Sequence, residues 1–265
     1  MSKTILVISD LHINSTVALC KPSIFLDDGL EVKITKAQHW FWDNFLDLLE
    51  KVDHYKPDAV VINGDALEGD TKNRSNQLIT RNTTTIVNIG AETLEPLISK
   101  VPAVYFVKGT GAHGGKSGCL EESLAKDFDN SVKIGRSLSH WSLNLIADGV
   151  RLSFAHHTNM GGLPWTKPNA GNQLAAKIQF QYSQDGEKVP DLAIRGHVHR
   201  WADSYDNYRT RALVLPCWTL ATEHTHKIAP DTLPECGAAF ILCNRGKFEI
   251  DKVDYKPKGR VWVKL

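Results

Sequence analysis

The sequence predicts an α/β protein in which parallel strand–helix units stand beside a mixed β-sheet. In the first half, short apolar runs such as TILVIS and DAVVIN alternate with longer amphipathic segments, a pattern typical of parallel α/β units. In the second half, apolar runs flank turn signals at 148–149 and 244–246, which predicts antiparallel strand pairs. The two patterns together favour a mixed sheet packed beside a largely parallel one.

Individual elements have their own signals. Apolar residues at helical spacing within 36–56 predict an amphipathic helix, for which Thr35 is a suitable N-cap. Turn signals predict a loop from Asn14 to about Val32, and a second helix is expected over 76–101. Further strands are expected at 4–9, 58–63, 103–108, 191–196 and 211–222, paired strands within 137–157 and 238–257, and helices at 119–128 and 169–184. His224 and His226 are expected in a loop outside any site.

Composition excludes several classes of protein. The chain has 265 residues, of which 42% are hydrophobic and 23% charged. Its formal net charge of +1 is too small to produce a positive electrostatic potential that would bind nucleic acid over the whole surface. Its five cysteines are scattered without a C-x-x-C pair, so a disulfide scaffold or a thiolate zinc site is not expected. We expect a reduced, cytoplasmic location, no signal peptide, and no membrane span, because no apolar run approaches 18 residues.

Polar side chains follow five of the predicted strands where each strand ends. They are Asp10 and His12, Asp65, His113, His156 and His157, and His197 and His199. In open α/β sheets, ligands bind at the carboxyl edge, so these side chains should meet there. Residues at i and i+2 of an extended segment point the same way, which predicts that Asp10 and His12 share one ion and that His197 and His199 face one site.

Such a cluster predicts a particular chemistry. Carboxylate and imidazole ligands without thiolate suit manganese, iron, zinc, nickel or cobalt. An aspartate between two ions can bridge them at roughly 3.5–4 Å, and such a dinuclear centre favours in-line displacement at phosphorus. The ions would lower the pKa of a shared water, which then attacks as hydroxide.

At these residues the sequence resembles the calcineurin-like metallophosphoesterase superfamily. The matching motifs are Asp10-x-His12, Gly64-Asp65, a variant at Gly109–His113, His156, and Gly196-His197-Val198-His199, over a core from Ile5 to Trp201. The resemblance implies a four-layered α/β/β/α sandwich of two mixed β-sheets flanked by helices. It also implies a single domain over 1–265, in which 14–34 is an insertion over the mouth of the active site.

The resemblance implies a role for each motif residue. Asp10, His12, Asp65 and His199 would hold a first ion. Asp65, His156 and His197 would hold a second, with Asp65 bridging the two. His113 would protonate the leaving group or stabilise the transition state, so His113 and Asp65 are the expected catalytic residues. His157 is the alternative to His156 as a ligand or a support for it.

The third motif, VKGTGAHGG, departs from the family pattern G-N-H-[DE]. Either Ala112 stands at the asparagine position, or Thr110 replaces the asparagine and two residues are inserted before His113. In either alignment, the acidic residue after the histidine is replaced by Gly114. We therefore expect weaker occupancy of the second metal site, completed by water or by a side chain such as Asn63 or Asn88.

The predicted function is hydrolysis of a phosphodiester of nucleic-acid or nucleotide type, as in a nuclease. The protein is expected to hold one or two divalent ions per chain, with manganese as the preferred ion. Candidate substrate contacts are Arg74, Thr110, His157 and Arg195. Trp165 is a candidate aromatic platform in a lid. The alternatives are a phosphomonoesterase or protein phosphatase, a catalytically reduced metal-binding module, and a structural zinc protein. The sequence leaves the oligomeric state open.

Overall fold

A computed structural model describes residues 2–69, 77–158, 169–228, 233–259 and 262–264. The strands, in chain order, are β1 (Lys3–Ile8), β2 (Ser23–Phe25), β3 (Glu31–Lys33), β4 (Ala59–Asn63), β5 (Val104–Val107), β6 (Ser139–His140), β7 (Ser142–Ala147), β8 (Val150–Ala155), β9 (Leu192–Arg195), β10 (Ala202–Asp203), β11 (Arg211–Val214), β12 (Cys236–Asn244) and β13 (Lys247–Tyr255). The α-helices are α1 (Lys36–Tyr55), α2 (Thr83–Ile98), α3 (Cys119–Ala125), α4 (Ala170–Gln184) and α5 (Glu223–Ile228).

The strands form two mixed sheets and a short hairpin. The first sheet has the order β13-β12-β1-β4-β5-β6, and the second has the order β10-β11-β9-β8-β7. β1, β4, β5 and β6 are parallel neighbours, as the alternation of strands and helices predicts. β8, β9 and β11 are also parallel, so the carboxyl ends of strands in both sheets carry loops toward the site.

The hydrophobic core is divided into layers, because alternate residues of a strand point to opposite faces of its sheet. Leu6 and Ile8 of β1 pack with the apolar faces of α1, α2 and α3 on the outer side of the first sheet. Ile5 and Val7, which alternate with them, pack between the two sheets. Ala170 of α4 packs on the outer side of the second sheet. The predicted four-layered α/β/β/α sandwich is confirmed.

Helix α1 begins where the sequence predicts. The Thr35 hydroxyl accepts a hydrogen bond from the Gln38 N–H at 3.2 Å, and the Gln38 side chain accepts one from the Thr35 N–H at 2.8 Å. This capping box satisfies two backbone donors that a helix start leaves unpaired. Phe41, Phe45 and Leu48 lie on the buried face, as their spacing predicts.

Other boundaries differ from the prediction. α2 begins at Thr83 rather than near 76, because the Asn82 side chain accepts hydrogen bonds from two N–H groups of the first turn. The predicted loop over 14–32 contains the β2–β3 hairpin. The strand predicted over 211–222 ends at Val214, shortly before Pro216, which has no N–H to donate. His224 and His226 lie in α5, not in a loop.

Within the described ranges, no helix has both the length and the apolar character that a membrane span requires.

Candidate metal centre

The structure brings polar side chains from five strand ends into one cluster. The residues that the structure describes offer three overlapping groups of candidate ligands. Within each group, one donor atom per residue lies within 4.8 Å of the others. The groups are Asp10, His12 and His199; His12, Asp65 and His113; and Asp65, His156 and His197. Asp65 and His12 each belong to two groups, so the three groups form one continuous site.

Asp10 joins the two sheets. It is fully buried after β1, and its carboxylate accepts hydrogen bonds from the Ser9 hydroxyl at 2.6 Å and from the His197 main-chain N–H at 3.0 Å. His199 Nε2 lies 3.2 Å from the same carboxylate. One side chain at the end of β1 therefore fixes the loop after β9, which is 187 residues away in sequence.

Asp65 lies between the groups at the end of β4. Its Oδ1 accepts a hydrogen bond from the Thr110 N–H at 2.5 Å, and its Oδ2 lies 3.0 Å from His156 Nε2. A Cβ at Gly109 would overlap the Asp65 carboxylate, so only glycine lets the loop after β5 approach this closely.

Glu68 is a site residue that the sequence analysis did not identify. One carboxylate oxygen lies 2.6 Å from His12 Nδ1, and the other lies 2.8 Å from His113 Nδ1. When both histidines donate from Nδ1, each presents its Nε2 atom on the side of the ring away from Glu68. Its sequence signal, a carboxylate three residues after Asp65, is weak because a single glutamate in a loop is common.

The backbone explains why the side chains converge. Asp10, His12, Asp65, His197 and His199 all have positive φ, between 46° and 76°. Non-glycine residues rarely adopt this left-handed conformation, and it is concentrated at functional sites. We predicted that Asp10 and His12, and likewise His197 and His199, point the same way because the backbone is extended. That reason is wrong, since the backbone is left-handed at all four residues. Asp10 and His12 share one group, and His197 and His199 face the same continuous site from different groups.

Opposite charges balance inside the cluster. Burial alone would raise the pKa of Asp10, but the charges of His156 and His199 outweigh it and lower the pKa to about 2. Burial alone would lower the pKa of His156, but Asp10 and Asp65 raise it to about 10. Burial alone would also lower the pKa of His113, but the hydrogen bond and the charge of Glu68 raise it to about 9.

The donor set fits a divalent cation. His156 Nδ1 lies 2.9 Å from the Asn63 carbonyl oxygen, which can only accept, so Nδ1 is the donor. In the neutral ring, the Nε2 lone pair then faces the Asp65 carboxylate at 3.0 Å, and His156 Nε2 is buried without a hydrogen-bond partner in the described chain. Two acceptors this close require a proton or a cation between them. In the metal-free protein a proton on His156 fills this role, which is why the pKa of His156 is raised.

The third motif can be read from its contacts. Thr110 directly follows Gly109, and its hydroxyl lies 3.2 Å and 3.3 Å from the two carboxylate oxygens of Asp65. This placement favours the alignment in which Thr110 takes the asparagine position. His113 follows three residues later, and its ring centroid lies 4.6 Å from that of His12.

The remaining candidates are placed differently. His156 is buried, whereas His157 is exposed with its ring 4.9 Å from that of His197. The Arg195 guanidinium donates to the carbonyl oxygens of Ser153 and Ile194. Asn63 is buried at the end of β4, and Asn88 is exposed on α2. Arg74 and Trp165 lie outside the described residues.

Comparison with known proteins agrees with the motifs. The family model of the calcineurin-like phosphoesterases matches residues 3–201, and the chain therefore belongs to this family. No curated protein matches the chain significantly.

Solved structures with a similar fold are distant in sequence. A zinc complex of Vps29 from Entamoeba histolytica is 14% identical, with a TM-score of 0.43, and the match covers 95% of this chain and 98% of that one. A dimetal phosphatase from Danio rerio is 11% identical, with a TM-score of 0.45, and the match covers 96% of this chain and 99% of that one.

Proposed function

We propose that the protein is a divalent-metal-dependent phosphoesterase. The observation that carries the proposal is the pair of ligand groups on either side of the cluster. Asp10, His12 and His199 would hold one cation, and Asp65, His156 and His197 would hold another. When bound, such cations supply Lewis acidity toward a phosphoryl group and a water of lowered pKa.

The residues of the chain supply position and a proton. Glu68 orients His113 through Nδ1, which leaves Nε2 to carry the proton that the departing oxygen needs. The ring is partly exposed, with 32% of the side chain accessible, so a substrate oxygen can reach it. Asp65 is held by the Thr110 N–H and so keeps its place between the two groups. We propose His113 as the general acid and Asp65 as the shared ligand.

The finer part of the proposal concerns the substrate and the metal. We propose a phosphodiester of nucleotide or nucleic-acid type and manganese as the preferred ion. The Asp10 and Asp65 carboxylates, one in each ligand group, support manganese, because this ion favours oxygen donors over thiolate. His157 and His197 are both exposed and their rings lie 4.9 Å apart, which supports contact with a substrate larger than phosphate. We also propose a reducing, cytoplasmic location, which the scattered spacing of the five cysteines supports.

Two model esters test the proposal. With Mn²⁺ added, the protein should hydrolyse bis-p-nitrophenyl phosphate faster than p-nitrophenyl phosphate, and chelation of the metal should stop both reactions. Asp65→Asn and His113→Ala should each lower kcat by roughly 10²-fold or more. Asp43→Asn and His39→Ala are matched controls, because both residues are exposed on α1 and should leave kcat unchanged. Faster hydrolysis of the monoester would favour a phosphomonoesterase or protein phosphatase.

One observation favours a second candidate, a metal-binding module without turnover. Thr110 stands where the family has an asparagine, and a threonine hydroxyl is a weak metal ligand. This candidate predicts metal binding by the Asp10 group with no hydrolysis of either ester. About one tightly held ion per chain would support the weaker second site, and two tightly held ions would contradict it.

A further inference from the structure

A buried carboxyl lies outside the ligand cluster and has no use in the chemistry described so far. Glu121 on α3 is 0% exposed, and neither of its carboxyl oxygens has a hydrogen-bond partner among the described residues. Leaving a buried polar group unpaired is costly, whereas an apolar side chain of similar length would avoid that cost. Packing of α3 therefore does not account for a carboxyl at this position.

The position of this carboxyl relates it to the third motif. A Cβ at Gly114 would lie 2.7 Å from Glu121 Oε1 and 2.9 Å from Cδ, distances too short for real contacts. The carboxyl thus fills the space where a side chain at position 114, directly after His113, would begin. The family pattern has an acidic residue after this histidine, and this chain has glycine.

The carboxyl also reaches the other end of the same loop. The Gly109 N–H faces it without meeting hydrogen-bond geometry. In addition, the Leu120 N–H donates to the Gly114 carbonyl oxygen at 3.1 Å, so α3 is attached to the loop beside Glu121. Between these two ends lie Thr110, which contacts Asp65, and His113, which contacts Glu68.

We propose that Glu121 is a positioning residue which supplies, from α3, the side chain that position 114 lacks, and so fixes the 109–114 loop that carries Thr110 and His113. The inference rests on the proposed function only for its effect on turnover. Its geometric part concerns the loop alone and can be tested without any substrate.

A swap of side chains between the two positions tests the inference. In the wild-type background, Gly114→Asp should lower the Tm by roughly 5 °C, because the new Cβ meets the buried carboxyl. In a Glu121→Ala background the same substitution should lower the Tm by only about 1–2 °C, because the Glu121 carboxyl no longer occupies the space that the new Cβ needs. Gly111→Asp is the matched control. It is in the same loop, its Cβ would meet only an ordinary contact at 3.8 Å, and its cost should be equal in both backgrounds.

Turnover and the His113 ring provide the second measurement. Glu121→Ala should lower kcat roughly 10- to 100-fold with KM within about twofold, because a displaced acid slows chemistry more than binding. Glu121→Gln, which keeps the shape, should stay within about threefold of wild type. Adding Gly114→Asp to Glu121→Ala should recover at least half of the lost kcat. Nitrogen NMR signals of His113 in the metal-free protein should shift in Glu121→Ala and return in the double variant.

The outcomes separate the two proposals. If the wild-type protein hydrolyses neither ester, the proposed function fails, and the Tm comparison with the His113 signals still decides the inference. The inference is overturned if Gly114→Asp lowers the Tm equally in wild type and in Glu121→Ala. It is also overturned if the His113 signals are unchanged in folded Glu121→Ala. Wild-type kcat in Glu121→Ala would overturn it as well.

Discussion

At the scale of single residues, the site includes a carboxylate, Glu68, that belongs to none of the three candidate ligand groups. Glu68 pairs with two histidines at once and fixes which ring nitrogen each presents. Burial alone would raise the pKa of Glu68, but His113 and His12 outweigh it and lower the pKa to about 2, so Glu68 is ionised at neutral pH. One side chain therefore sets the orientation of a proposed ligand and of the proposed general acid.

Glu68→Gln should lower both metal affinity and kcat, each by roughly 10- to 100-fold. The amide keeps the shape, but its oxygen can accept from only one of the two Nδ1–H groups and its NH2 cannot accept from the other, so His12 and His113 lose a shared orienting group. Measurement of Mn²⁺ affinity by calorimetry and of kcat with bis-p-nitrophenyl phosphate checks this. Glu50→Gln, an exposed change on α1, is the control. Unchanged affinity and rate in Glu68→Gln would contradict the orienting role.

Glu121 predicts a specific dependence of stability on pH. Burial raises the pKa of this carboxyl from 4.5 to about 7 in the folded protein. Between these two values the folded state holds more protons than the unfolded state, so the free energy of unfolding falls as pH rises. The full loss above pH 7 is on the order of 3 kcal/mol, since one pKa unit corresponds to about 1.4 kcal/mol.

Glu121→Gln cannot ionise and should not lose stability in this way. Its free energy of unfolding, relative to that of wild type, should rise between pH 5 and pH 8 when both are measured by urea unfolding. Glu50→Gln should show a constant difference from wild type across the same range. A constant difference for Glu121→Gln as well would mean that the carboxyl is not buried and unpaired.

At the scale of elements, strand ends were predictable and loop geometry was not. Apolar runs place Asp10, Asp65 and His156 at strand ends from sequence alone, because each run is buried on both faces. The left-handed backbone at Asp10 and His199 arises from tertiary contacts, which no local pattern encodes. Glu68 was missed for the same reason, since only the fold brings His12 and His113 to it.

The start of α1 allows a direct test of local stability. The Thr35 hydroxyl accepts from the Gln38 N–H and also donates to the Thr16 carbonyl oxygen at 2.7 Å. Thr35→Ala should therefore lower the free energy of unfolding by about 1 kcal/mol, a typical cost for the loss of an N-cap. Lys36→Ala, one residue later and exposed, should cost much less. Equal losses in urea unfolding would show that the capping box contributes nothing.

At the scale of the whole molecule, the site exists because two sheets face each other. The first sheet contributes Asp10, His12 and Asp65, and the second contributes His156 and His199. Val7 and Phe154 belong to the apolar layer between the sheets, which therefore sets the distance between the two sets of candidate ligands. The polar residues at five strand ends predicted this meeting, and the family resemblance assigned the residues to two ions, whereas composition and periodicity alone predicted only the strands.

Metal binding should therefore stabilise the assembled sheets. A ligand that binds only the folded state stabilises it by about 2.7 kcal/mol at 100 times its Kd, so Mn²⁺ should raise the Tm of the metal-free protein. Asp10→Asn should remove most of this rise, because Asp10 contacts both sheets. Asp43→Asn should keep it. A rise of equal size in all three proteins, measured by calorimetry, would place the ion elsewhere.

Anomalous diffraction from a crystal soaked in Mn²⁺ and phosphate tests the central claim most directly. We predict a peak among Asp10, His12 and His199, a second and weaker peak among Asp65, His156 and His197, and phosphate within reach of His113. No peak within about 3 Å of these donor atoms, at a metal concentration that saturates binding in solution, would contradict the account.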